Sequence, residues 1–155
     1  SLLALKLQKF SSSVVVELTE QSEADDAALE RMKESFQRVG VETAVDDYGT
    51  GYSNIINLLR YAPNYVKIDR MLLTGIQDNL QKQHFVKSII GFAHENNFKA
   101  LAEGVETSQE LETVISLGVD LIQGYYTAKP NAEIVQAISE DIQNEISNYF
   151  VKANA

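Results

Sequence analysis

The chain has no cysteine. That absence excludes a disulfide framework, a thiolate zinc site and a cysteine nucleophile. It fits a reducing compartment, so a cytoplasmic location is expected, including the cytoplasmic part of a membrane-anchored parent. No apolar run approaches the roughly 18 residues a membrane-spanning helix needs, so no membrane contact is expected from this segment. Residues 1–7 are apolar but lack a basic leader and a small-residue cleavage site, and do not read as a signal peptide. Proline occurs only at Pro63 and Pro130, both expected in loops. There is no G-x-S-x-G elbow, P-loop or Rossmann glycine triplet. His84 and His94 match no metal-ligand spacing and are expected at or near the surface. Positive charge is scarce: 13 Lys and Arg face 22 Asp and Glu, for a net charge of −9. Such a surface repels phosphate backbones, so no DNA or RNA partner is expected. A small nucleotide stays admissible, because metal ions bridge carboxylate and phosphate. No low-complexity stretch, Pro/Ser linker or block of five like charges divides the 155 residues. They read as one domain, or part of one.

What is present is a repeated pattern. Four short apolar runs each end in a carboxylate: Val14–Glu17, Thr43–Asp47, Tyr65–Asp69 and Ala100–Glu103. A fifth, Asp120–Gln123, ends in an amide. Helical patterns separate the runs. Ser22 opens the first, Leu29, Met32 and Phe36 give its apolar face, and Gly40 stops it. A strand is expected from Val41 to Val45, then a loop at Gly49-Thr50-Gly51. Ile55, Ile56, Leu58 and Leu59 then form the apolar face of a short helix ended at Pro63. Next come a strand Tyr65–Ile68 and a helix over 82–95 with Phe85, Ile89, Phe92 and Ala93 on one side. A strand over 99–102, a helix from Ser108 to Leu117 stopped by Gly118, a strand over 119–122 and a last helix over about 132–149 complete the series. Strands separated by helices imply a parallel α/β sheet with right-handed crossovers. The nearly continuous apolar runs suggest that both sheet faces are covered. The length suits an open doubly wound sheet, or the later part of a (β/α) barrel, since a closed barrel needs about 250 residues. In either fold the carboxyl ends of the strands form the ligand rim. Acids gathered there need a positive partner, and an oxygen-loving divalent ion is one.

Asp46-Asp47-Tyr48-Gly49-Thr50-Gly51-Tyr52-Ser53 is the densest motif. Adjacent aspartates at a strand end can serve neighbouring metal ions, and the glycines suit a loop wrapped round a ligand. The same residues also read as an acidic turn before a helix. Lys67 either enters the rim, where acids must offset its desolvation, or snorkels to solvent. Glu103 reads as a metal ligand or general base with Glu106 in support, or the two form an acid pair at a helix N-terminus. Glu17 and Glu20 repeat that spacing and that ambiguity. Gln123-Gly124-Tyr125-Tyr126 touches a base edge or phosphate, or is a turn with packed tyrosines.

Together, Glu17-Leu18-Thr19-Glu20, the Asp46–Ser53 motif, Lys67-Ile68-Asp69-Arg70, Ala102–Thr107 and Gln123–Pro130 resemble the EAL-domain family of cyclic di-GMP phosphodiesterases. The resemblance runs from about residue 14 to 130. It implies a TIM-barrel-like fold of which this chain is the C-terminal portion, with N-terminal strands missing. It implies metal-dependent hydrolysis of cyclic di-GMP to linear pGpG, with Mg²⁺ or Mn²⁺, two ions in the complete domain. Glu17, Asp46 and Asp47 would be metal ligands. Lys67 would contact the hydrolytic water, Glu103 would act as base or metal-linked acid, and Gln123 would touch the substrate. Glu20, Glu106, Gly49, Thr50 and Gly51 would support the loop and site. The family's Glu-Ala-Leu stretch, a substrate-contacting arginine and a metal-binding asparagine are not found, so the chain alone is expected to be inactive. A homodimer or self-association, and an upstream sensory or GGDEF-type domain, are the further partners implied. The alternative is a non-catalytic cyclic di-GMP sensor or protein-interaction module with an EAL-like fold.

Overall fold

A computed structural model of the chain describes residues 6, 14–18, 26–49, 55–133 and 136–154, without the side chains of Asp47 and Asn57. Glu20, Ser22, Thr50, Gly51 and Ser53 therefore lie outside the described residues. The elements are β1 (Val15–Leu18), α1 (Asp26–Val39), β2 (Glu42–Tyr48), α2 (Ile55–Tyr61), β3 (Tyr65–Ile68), α3 (Arg70–Leu73), α4 (Leu80–Glu95), β4 (Lys99–Glu103), α5 (Ser108–Leu117), β5 (Leu121–Gln123) and α6 (Glu140–Ala153).

Among the described residues all four strand pairings are parallel, in the order β1-β2-β3-β4-β5. Each crossover therefore steps one strand further in the same direction. A doubly wound sheet would reverse at a switch point, and none occurs here. The winding is that of a TIM-barrel-like (β/α) fold. Among the described residues, the five strands form an open arc of such a barrel.

The two faces of the arc differ. Leu18, Val45, Val66 and Ala100 lie in register across one face, with Ile68 and Ala102 in the row above. All six are buried in one cluster with the helices, including Leu73, Val86, Ile90 and Leu111. The other face carries Glu17, Ala44, Tyr65, Lys67, Leu101, Leu121 and Gln123 round an open cavity of about 280 Å³. On this face Val15 is 44% exposed and Leu121 39%. Among the described residues, helices thus cover one face, not both. The apolar residues of the second face made the strand runs look continuous, although no described element covers them.

β2 does not stop at Val45 but runs through both aspartates to Tyr48. Its register slips there: Val45 opposes Val66, whereas Tyr48 opposes Ile68. Three steps on β2 match two on β3, which is a β-bulge at Asp46–Asp47. Strict alternation would put Asp46 and Tyr48 on the same face. The extra residue leaves Asp46 on the open face and turns Tyr48 into the core, where it is 9% exposed.

The helices follow their stripes, with three corrections. In α2 Leu58 and Tyr61 are buried, while Ile55, Ile56 and Leu59 are about half exposed. A two-turn helix buries one narrow stripe, and residues three apart fill it. In α4 the stripe is Val86, Ile89, Ile90 and Ala93, spaced i, i+3, i+4, i+7. Phe85 sits one position round the helix and is exposed. The last helix starts at Glu140, not near 132, because Ser139 caps it and Glu140 and Asp141 occupy its first turn. β5 is likewise shifted, to 121–123. As expected, α1 and α5 stop at Gly40 and Gly118, both left-handed. No helix among the described residues is long and apolar enough to cross a membrane.

Thr107 caps α5, which runs from Ser108 to Leu117 as expected, in a reciprocal capping box with Glu110. Glu110 is 5% exposed and does more than cap. Its Oε2 accepts from the amides of Glu106 (2.9 Å) and Thr107 (3.2 Å), and its Oε1 accepts from Gly75 (3.1 Å). One carboxylate thus joins the loop after β4 to the loop after α3. Glu110→Ala strands three amides and should cost roughly 2–3 kcal/mol by thermal or denaturant unfolding. Glu110→Gln keeps one acceptor oxygen but turns an N–H toward an N–H, and should cost about half as much. Equal stability of all three proteins would refute this role.

Candidate functional site

Three strands deliver acids to one lysine. Lys67 stands on β3 near its carboxyl end, pointing to the open face, and its side chain is 6% exposed. Its Nζ lies 2.9 Å from Glu17 Oε1 on β1, 2.8 Å from Asp46 Oδ1 on β2 and 3.1 Å from Glu103 Oε2 on β4. Strand stagger makes this possible. Ala44 pairs with Tyr65, so Asp46 stands beside Lys67, while Lys67 pairs with Leu101 and leaves Glu103 one row higher.

Burial disfavours the ammonium, but the contacts with Asp46, Glu17 and Glu103 outweigh it and hold the lysine above its ordinary value. Lys67 is therefore charged throughout the physiological range. It can donate hydrogen bonds and offset negative charge, and it cannot serve as a base. The three pairs are unequal. Glu17 is 53% exposed, so water screens its contact. Asp46 is 22% exposed and its Oδ1 is fully buried. That oxygen is at ion-pair distance from Nζ, yet no aligned hydrogen-bond donor reaches it. One positive and three negative groups leave the cluster at about −2.

A larger cavity, about 530 Å³, adjoins the cluster. Glu103, Gln123 and Gly124 line it, with Arg70, Tyr125 and Lys129. Gln123 borders both cavities. Its carbonyl accepts from the Gly104 and Val105 amides at 2.7 and 3.2 Å, tying the β5 end to the loop that follows Glu103. Gly124 is required by this closeness: a Cβ there would sit 2.1 Å from the Val105 carbonyl oxygen.

The predicted residues are thus partly united. Glu17, Asp46, Lys67 and Glu103 meet. Gln123 flanks them. Glu106 stands apart from the lysine, and its carboxylate pairs with Arg70 at 2.8 Å. Asp69, which ends the third apolar run, turns away and caps α3 by accepting from Met71 N at 2.7 Å. Gly49 is described, in a left-handed conformation (φ 105°) against Leu72, but Asp47's side chain, Glu20, Thr50 and Gly51 are not. His94 bonds Asp120 at 2.8 Å, away from the cluster. Arg70, Tyr125 and Lys129 were quoted in the motifs without a role, and only the folded cavity shows them as lining. Glu110 was legible, since Thr107-x-x-Glu110 is a capping-box pattern.

The donor set suits an oxygen-loving divalent ion: carboxylate oxygens, a residual charge near −2 and one buried oxygen whose contact with Lys67 Nζ is not aligned as a hydrogen bond. Among the described residues, however, no three Asp, Glu or His side chains stand close enough to chelate one ion. The positive object that gathers the acids in this structure is the Lys67 ammonium.

The family model for the EAL domain matches residues 2–130. The chain is 32% identical over 117 residues to "Probable cyclic di-GMP phosphodiesterase PdeN" of Escherichia coli (strain K12), covering 76% of this chain and 23% of that protein. It superposes with a TM-score of 0.78 and 32% identity on a standalone EAL protein from Vibrio cholerae O395 in its c-di-GMP-bound form, covering 90% of this chain and 60% of that one. A manganese and cyclic di-GMP complex of Klebsiella pneumoniae BlrP1 superposes at 0.74 with 28% identity, covering 83% and 34%. The chain thus spans about a quarter of the length of the curated relative PdeN. With a parallel, sequentially wound sheet and acids gathered on Lys67 at its carboxyl end, the chain belongs to the EAL domain family.

Proposed function

We propose that the chain forms part of a domain that hydrolyses cyclic di-GMP to linear pGpG with a divalent ion, Mg²⁺ or Mn²⁺. The observation that carries this is the convergence of Glu17, Asp46 and Glu103 on the charged Lys67, beside a cavity bordered by Gln123. Relatives that hold cyclic di-GMP, one with manganese, support it.

Glu17, Asp46 and Asp47 would hold the ion or ions, two in the complete domain. A bound ion supplies Lewis acidity, polarising a phosphoryl oxygen and offsetting its charge. Glu103 takes the proton of the attacking water. The water oxygen forms a bond to phosphorus, the bond to the ribose 3′ oxygen breaks, and that oxygen takes a proton from solvent and leaves as a hydroxyl, while Glu103 returns its proton to solvent. One water is added and one ring opens. Lys67, held as the ammonium, orients the water and stabilises negative charge on the phosphoryl group. Gln123 positions the dinucleotide in the larger cavity. Glu106 steadies Arg70 on that wall, and Glu20 with Gly49, Thr50 and Gly51 shapes the loop after β2. The parent would carry an upstream sensory or GGDEF-type domain and act in the cytoplasm.

The full parent protein incubated with Mn²⁺ and cyclic di-GMP should release pGpG, read by chromatography. Retained cyclic di-GMP without pGpG would overturn the hydrolytic reading. Glu103→Gln should lower kcat by at least about 10²-fold while cyclic di-GMP still binds. Lys67→Met should lower it by a similar factor, roughly 10²-fold, because the phosphoryl charge loses its donor.

Among the described residues, β1 and β5 are edge strands and one sheet face, with Val15 and Leu121 exposed, is covered by no element. Residues 1–155 alone should self-associate in light scattering at high concentration, and turn over at least about 10²-fold more slowly than the parent. A clean monomer would refute the first expectation, and parent-like turnover the second.

A further inference from the structure

α6 lies beyond the matched residues 2–130, yet it reaches the loop that follows Gln123. Its Glu145 is half-buried at the centre of a side-chain cluster. Glu145 Oε2 accepts from the Tyr126 hydroxyl at 2.8 Å, and Oε1 accepts from the Tyr149 hydroxyl at 2.8 Å. The Ser108 hydroxyl donates to the same carboxylate and lies 2.8 Å from Tyr149 Oη. A second contact, Lys152 with Glu112, fastens the far end of α6 to α5. Three hydroxyl donors, Ser108 first, hold the Glu145 carboxyl below its ordinary range. The bond to Glu145 holds the Tyr126 phenol above its own. The carboxylate therefore stays an acceptor and Tyr126 a donor at neutral pH.

Tyr126 is three residues from Gln123, and its backbone is held as firmly as its side chain. Tyr126 N donates to Val105 O at 3.1 Å, and the Thr127 and Ala128 amides both donate to Gly124 O at 3.1 Å. Val105 in turn lies two residues beyond Glu103. The turn from Gln123 to Ala128 is thus pinned to the β4 loop through its backbone and to α6 through its side chain. We infer that α6 is a positioning element of the site: Glu145, by gripping Tyr126 and Ser108, fixes the turn after β5 and so sets Gln123 against the loop that carries Glu103. Tyr126 and Glu145 act through Gln123 and touch no reacting atom. The inference rests on the proposed function for its consequence in substrate binding, though not for the grip itself.

The test uses the full parent protein as wild type, Tyr126→Phe and Glu145→Gln. Tyr126→Phe removes one hydroxyl from a half-buried ring and leaves the packing intact. Hydrogen–deuterium exchange at amides 104–106 and 124–128 should rise about fivefold in both variants, while exchange in α4 stays put. The KM for cyclic di-GMP should rise roughly three- to tenfold with kcat within about twofold of wild type. Unchanged loop exchange would overturn the inference. So would a rise spread equally over α4 and the sheet, as a merely structural loss would give, or a fall in kcat at constant KM. If wild type neither binds nor cuts cyclic di-GMP, the proposed function fails, and the exchange comparison, which needs no substrate, still decides the grip.

Discussion

The site depends on one buried ammonium. An unpaired lysine charge at this depth would cost several kcal/mol or would lose its proton. Lys67 does neither, because carboxylates from the strands on both sides reach it within 3.1 Å. The dependence is mutual. Glu17, Asp46 and Glu103 would repel one another across the sheet without a positive centre. Asp46, the least exposed of the three, contributes most, since water screens Glu17. Three acids against one base also leave a deficit of about two positive charges. A cluster so biased is poised to accept a cation and, through it, a phosphate.

Backbone geometry creates that cluster before any side chain chooses a rotamer. A parallel sheet wound in one direction places successive strand ends on one rim. Its stagger sets Asp46 beside Lys67 and Glu103 one row above. The bulge in β2 then solves a packing conflict. It leaves an acid on the open face while returning Tyr48 to the core two residues later. A regular strand would have to give up one or the other.

The loops are fixed with the same economy of means. The buried Glu110 carboxylate satisfies amides from two loops, and the Gln123 carbonyl satisfies two further amides of one of them, the loop after β4. Each bond is worth about 1 kcal/mol net, but its loss would strand a polar group away from water. Rigidity on the rim therefore comes from polar accounting, while the helices supply the apolar burial underneath. The opposite face, with Val15 and Leu121 exposed, is shaped like the inside of a barrel and covered by none of the described elements.

Much of this was legible in the residue order. Alternating strand and helix patterns, Gly40 and Gly118 as stops, and the acid-ended runs are local signals, and local signals survive in a linear text. They identified the parallel α/β class and the acids at strand ends. What they could not convey was which face each residue takes, because periodicity is silent on register. Hence Ile55, Ile56, Leu59 and Phe85 read as buried and are exposed, and one open sheet face read as covered. Asp69 read like the other terminal acids, yet its backbone turns into α3 and spends the carboxylate on a cap. Composition and motif determined that acids would crowd a rim and need a positive partner. Only tertiary structure decided that the partner is Lys67, because bringing residues 17, 46, 67 and 103 within hydrogen-bond reach is a property of strand stagger, and stagger is written in no single stretch of sequence.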